Sequence, residues 1–138
     1  MSEASDYVES DILTYYLKCA TTPGTRPTNV YVSLHSDAAG DTGANEITST
    51  GATRQSALAA FASETISGGA ISTGTGHDLE WTNGSGGSWT VDSIGIWDNA
   101  SHSTGNLLFY TPLTGGDVTV ADGDTFKISG GNLTVTVA

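Results

Sequence analysis

From Pro27 onward the apolar residues of this chain recur at every second position, in short runs broken by turns rich in glycine, asparagine and aspartate. Val30, Val32 and Leu34 stand opposite Tyr31, Ser33 and His35. Val118 pairs in phase with Val120, Phe126 with Ile128, and Leu133 with Val135 and Val137. A period of two sends successive side chains to opposite faces of a strand. Short strands separated by such turns are the pattern of antiparallel sandwiches and jelly rolls. Trp89 with Val91 and Ile94 with Ile96 are out of phase by one, which predicts a bulge at Asp92-Ser93. Leu79 to Trp81 and Leu107 to Tyr110 read as further strands, whereas Arg54 to Phe61 fits helix or strand.

The front of the chain has a different period. Val8, Ile12, Tyr15, Tyr16 and Cys19 recur at helical spacing, Asp6 with Glu9 forms a capping-box variant, and Thr21-Thr22-Pro23-Gly24 stops the helix. The expected fold class is therefore mainly β: an antiparallel β-sandwich or jelly roll over residues 27–138, with one N-terminal helix or arm over 5–20. Lacking a fixed repeat or a linker, residues 1–138 are expected to form one domain. Two roles stand open for the helix. It packs over an open end of the β layers, or it is a subunit-contact arm in which Val8, Ile12, Tyr15 and Tyr16 reach a neighbouring copy.

Glycine, serine and threonine number 18, 16 and 21, a load that by itself would suit a disordered chain. The apolar 37% falls in patterned runs instead of being diluted, which argues for a fold. Four basic residues against 15 acidic ones give a net charge of −11, so nucleic acid and anionic membrane are not expected partners. No stretch approaches the ~18 apolar residues of a membrane span. The opening MSEASDYVESD lacks the basic and apolar regions of a secretory signal. Cys19 is the only cysteine, which rules out an intrachain disulfide and a cysteine-based zinc site and reads as an inert buried thiol. The chain is expected to fold in a reducing cytoplasm.

Chemistry-bearing residues form no convincing constellation. Asp37, Asp41 and Glu46, or Asp122 with Asp124, offer oxygens to a hard cation but miss the spacing of a calcium loop and read as turn residues. His77, Asp78 and Glu80 lack a second histidine at ligand spacing. Ser33, His35 and Asp37 share one strand face, where positions two apart lie about 7 Å from each other, too far for a relay. The chain carries neither a nucleophile elbow nor a phosphate-cradling loop before a helix. Catalytic residues, cofactors and metals are accordingly not expected. Sugar stacking is the remaining chemistry. Trp81, Trp89 and Trp97 with Tyr31 and Tyr110 are possible platforms, Trp89 and Trp97 alternate like core residues, and Trp81 and Trp97 are the glycan-stacking candidates. Sequons at Asn83, Asn99 and Asn132 match chance in so Ser/Thr-rich a chain. Arg54 is expected to pair with an acid at the surface, worth about 0–1 kcal/mol.

Read in order, Tyr31-Val32-Ser33-Leu34-His35, Gly40-Asp41-Thr42-Gly43-Ala44-Asn45-Glu46, Arg54-Gln55, Ile94-Gly95-Ile96-Trp97-Asp98, Gly105-Asn106-Leu107-Leu108, Ala121-Asp122-Gly123-Asp124 and Gly131-Asn132-Leu133-Thr134-Val135 form a succession. It resembles a family of short tailed-bacteriophage virion proteins commonly labelled tail fibre proteins. The likeness spans nearly the whole chain, departing where Ala39 replaces a usual proline and Thr53 a frequent aromatic. It implies a non-enzymatic structural protein of the virion, assembled in the bacterial cytoplasm with other virion proteins. A fibre generally needs a long shaft, and 138 residues leave little chain for one. The first expectation is therefore a capsid decoration or cement protein, a homo-oligomer such as a trimer, bound to the major capsid protein. The second is a tail fibre or tail adaptor contributing to host, including glycan, recognition.

Overall fold

A computed structural model describes residues 3–18 and 26–137; Cys19 and the helix stop at 21–24 lie outside the described residues. The elements run β1 (Glu3–Ala4), α1 (Asp6–Tyr16), β2 (Tyr31–His35), β3 (Gln55–Ser56), α2 (Leu58–Phe61), β4 (Ala70–Ser72) and β5 (Leu79–Thr82). They continue with β6 (Trp89–Val91), β7 (Ser93–Trp97), β8 (Leu107–Pro112), β9 (Val118–Val120), β10 (Thr125–Ile128) and β11 (Thr134–Thr136). The fold is mainly β and antiparallel, with the one N-terminal helix the sequence called for. A five-stranded sheet in the order β1-β8-β7-β2-β3 faces three two-stranded ribbons, β5 with β10, β4 with β11, and β6 with β9.

Between these layers lies the core that the alternation encodes. Val32, Leu34, Ile94 and Ile96 come from the sheet, and Trp81, Trp89, Val91, Val120, Phe126 and Val135 from the ribbons. Trp81 and Phe126 sit on paired strands with rings 6.1 Å apart, and the Trp81 indole N–H donates to Thr53 O at 2.9 Å. Buried Asn83 fastens the corner between two ribbons. Its Nδ2 donates to Gly87 O and Val120 O at 2.7 and 2.9 Å, and its Oδ1 accepts from Ser85.

Three local expectations change. The phase slip at Asp92-Ser93 is a change of sheet: β6 ends at Val91 on its ribbon, and β7 begins at Ser93 inside the five-stranded sheet. Asp92 N donates to His35 O across the junction. The register shift lies instead between Ile96 and Trp97, opposite β8. The ambiguous stretch from Arg54 divides into a two-residue strand and a single helical turn. Within the described part of the span 5–20 the helix runs Asp6–Tyr16, and Ser5, just before it, prolongs the pairing of β1 with β8. Ser5 N donates to Leu108 O at 3.0 Å and its hydroxyl to Leu107 O, so the hydroxyl caps no helical N–H.

Candidate functional site

The face of the sheet that carries Ser33 and His35, opposite Val32 and Leu34, is covered. Ser33, His35, Ser93 and Trp97 are all buried there. The loop between β2 and β3 folds back over them, held by the bridge of His35 with Glu46 and by Ala39 N, which donates to Ser93 Oγ at 3.2 Å. His35 Nδ1 meets Ala44 O at 2.6 Å. A carbonyl can only accept, so the ring proton sits on Nδ1 and Nε2 accepts from Ser33 Oγ at 2.7 Å. Ser33 Oγ in turn accepts from Trp97 Nε1 at 2.8 Å. The Ser33 and His35 side chains thus lean together across the ~7 Å strand repeat that had separated them. Serine and histidine are fully buried and the imidazole's other nitrogen faces a carbonyl, so the pair has neither substrate access nor a carboxylate to orient it. Burial holds the His35 pKa below its ordinary value, against the Ala44 carbonyl and Glu46, which raise it.

Glycines make this layer possible. A Cβ on Gly95 would lie 2.8 Å from both His35 Nε2 and Ser33 Oγ and 2.9 Å from Trp97 Nε1. Gly43, at φ +68°, sits against the Trp97 ring where a side chain has no room. Above the same ring lies Arg54, its guanidinium carbon 3.8 Å from a ring centroid. Arg54 is buried, not at the surface as expected. It grips Glu46 through Nε at 2.6 Å and Nη2 at 2.8 Å, and Nη1 donates to Asn99 O and Thr104 O. His102 completes the cluster at 2.9 Å from Glu46. Burial pushes the Glu46 carboxyl up, but the hydrogen bonds from Arg54 and His102 outweigh it and hold the pKa below the usual value. The separate motif segments beginning at Tyr31, Gly40, Arg54 and Ile94 therefore build one polar layer over one face of the sheet.

Five of the candidate ligand residues have protein partners. Glu46 serves Arg54 and His102, Asp37 accepts from Ala38 N, and Asp122 accepts from Gly86 N. Asp78 and Glu80 both reach Lys127, Asp78 most closely. Among the described residues, no three His, Cys, Asp or Glu side chains gather where they could hold one ion. Trp81 and Trp97, the glycan-stacking candidates, are 1% and 5% exposed. Both rings are packed within the protein, so neither presents a face on which a sugar could stack, and the stacking role does not fit their placement.

The arm residues are placed differently. β1 lies along β8 as the edge of the sheet, Glu3 opposite Tyr110 and Ala4 opposite Phe109, and the Tyr110 hydroxyl donates to Glu3 Oε2 at 2.6 Å. That hydrogen bond, with partial burial and nearby acids, pushes the Tyr110 pKa up to about 12. α1 then leaves the sheet with none of its residues buried. Of the named contact residues, Val8 is half-buried, while Ile12, Tyr15 and Tyr16 are exposed and are joined by Tyr7, Leu13 and Leu17. Tyr15 and Tyr16 meet edge to face, with centroids 5.0 Å apart. The sequence pattern picked out the helix but missed Leu13 and Leu17, which belong to the same apolar surface.

Residues 3–136 match the family model described as Podophage GP4 fiber I protein gp80. The chain belongs to this fibre family. The match takes in the N-terminal segment, the sheet and the ribbons alike. Membership makes the chain a structural protein of the phage particle, working among other virion proteins. No curated protein matches the chain. Among the described residues, no helix is long and apolar enough to cross a membrane.

Proposed function

We propose that the chain is a non-enzymatic, fibre-type module on the outside of a podophage particle and that copies of it associate through the N-terminal arm. The observation that carries this reading is α1: a helix hung from the sheet by β1, none of whose residues is fully buried and whose Ile12, Leu13, Tyr15 and Tyr16 are exposed. Isolated helices below about 12–15 residues are marginal in water and draw their stability from packing. An 11-residue helix of this composition calls for a covering surface. The strongly acidic chain suits the outside of the particle better than contact with packaged nucleic acid. In this reading the assembly is a homo-oligomer, with a trimer as the natural size for a fibre-type protein, and 1–138 acts as a single domain. Capsid decoration is the second reading, favoured by the short strands: the longest, β8, has six residues, and no described element forms a shaft.

Two measurements test these readings. Copy number per purified virion, by quantitative mass spectrometry against the major capsid protein, is expected at a few to a few tens for a fibre. Hundreds of copies would overturn that assignment in favour of the shell. Removing residues 2–20 is expected to abolish self-association while the β circular dichroism signal persists. Unchanged association would remove the arm.

A further inference from the structure

The space between sheet and ribbons is open at one place. Val30, Phe61, Ile66, Ile71, Phe109 and Val137 line an apolar opening of about 380 Å³, and no charged side chain borders it in a chain of net charge −11. Ile66 and Val137, at 70% and 53% exposure, form its rim. Apolar openings free of charge mark contact sites more often than plain surface. No described residue of α1 lines it, so the helix leaves its own protein's opening bare. Yet the two features are neighbours. Ser5, where the helix begins, is bonded to Leu107 and Leu108, and Leu108 and Phe109 of the same strand line the opening.

One chain thus carries an exposed apolar helix face and, beside it, an apolar opening that no described residue of that helix covers. Ile12, Leu13, Tyr16 and Leu17 follow the three- and four-residue spacing of a single face. A face of this kind laid into an apolar groove is a common mode of helix recognition. The described lining of the opening brings no charge to the contact, and the helix face turns acidic only toward its start, at Glu9 one turn before Ile12 and Leu13. Building on the arm reading above, we propose that the opening of each copy receives α1 of a second copy of this chain, with the Ile12, Leu13, Tyr16 and Leu17 face set against Ile66 and Val137. Helix onto opening is a heterologous contact, so successive copies close into a ring when the rotation permits.

The test uses full-length protein with Cys19→Ser, two differently labelled chains co-expressed, one carrying Tyr16→Cys and the other Ile66→Cys, under mild oxidation. A disulfide between the two chains is the expected product. A second pair, Leu13→Cys with Val137→Cys, guards against an unlucky sulfur geometry. Failure of both pairs to link, while Tyr16→Cys chains link to each other, would overturn the helix-in-opening contact and leave the arm reading standing. With both cysteines placed in one chain, an exclusively intramolecular disulfide would show that the helix closes its own opening, and would overturn it too. A wild-type protein that is monomeric by light scattering, with or without residues 2–20, would instead sink the arm reading itself. As an independent readout, Ile66→Asp is expected to weaken association at least tenfold with an unchanged circular dichroism spectrum; unaltered association would count against the contact.

Discussion

At the residue scale, the buried cluster of Arg54, Glu46, Trp97 and His35 is where the chain departs most from what its alternation promises. Breaking a buried ion pair by removing one partner costs about 3–5 kcal/mol, because the other charge is left unpaired, whereas replacing both with apolar groups is often close to neutral. Arg54→Ala is therefore expected to lose about that much stability in urea denaturation. Arg54→Met with Glu46→Leu should recover a large part of it; no recovery would mean that the bonds to Asn99 O and Thr104 O dominate. The pH response follows from His35 and Glu46. His35 has a folded pKa below its ordinary 6.5, so the stability it lends is full above that value and is lost as the pH falls below it. Glu46 is held below 4.5, so its contribution begins to disappear only at still lower pH. Melting temperature should decline in these two successive stages on acidification, and the first stage should be missing from His35→Gln. The sequence showed this cluster only in part: Trp97 alternates like a core residue and Arg54 calls for an acidic partner, but neither their meeting nor the burial of Arg54 and His35 could be read. An alternating strand with serine and histidine on one face looks solvent-facing, and only the returning loop, placed by contacts distant in the chain, turns that face into a second interior.

At the element scale, the sequence was legible wherever one periodicity ran unbroken. The strands around Val32, Ile96, Leu107, Val120, Phe126 and Val135 appear where their alternation places them, because one buried face specifies a strand's register. Legibility failed where neighbouring segments compete for the same groups. Asp92 lies at a phase slip that a bulge or a change of sheet satisfies equally well, and only pairing with β2 on one side and β9 on the other decides it. The capping box read at Asp6 and Glu9 does not form: Ser5 takes the N-cap position and its hydroxyl goes to Leu107 O, a partner that nothing local announces. The arm is legible as a helix but not as a strand, since two residues carry no period. Its docking on β8 runs through a two-residue edge strand and exposed side chains, so it should be among the first segments to open. Hydrogen exchange is expected to show the Ser5 amide far less protected than Val32 or Ile96. Ser5→Ala and Tyr110→Phe should each speed its exchange without changing exchange in the core; a uniform loss of protection would mean that β1 opens only with the whole sheet.

At the scale of the whole molecule, net charge and apolar contact pull in opposite directions. Each copy carries −11, spread over acidic turns and the first turn of α1, where Asp6 and Glu9 stand. Bringing copies together through the Ile12, Leu13, Tyr16 and Leu17 side chains and an apolar opening supplies no basic partner for those acids, so it leaves the repulsion in place while burying apolar surface. The screening length falls from about 30 Å at 0.01 M salt to about 3 Å at 1 M, so added salt weakens the repulsion and leaves the apolar term intact. Association of the full-length chain is therefore expected to strengthen as sodium chloride rises over that range, read as a falling dissociation constant in sedimentation equilibrium. Sulfate should strengthen it further than chloride at matched ionic strength, because excluded anions favour apolar burial. The opposite trend, copies separating as salt rises, would mean that ion pairs hold the assembly. Lys18, Arg26 and Lys127, the basic residues outside the Arg54 cluster, would then be the place to look for the contact.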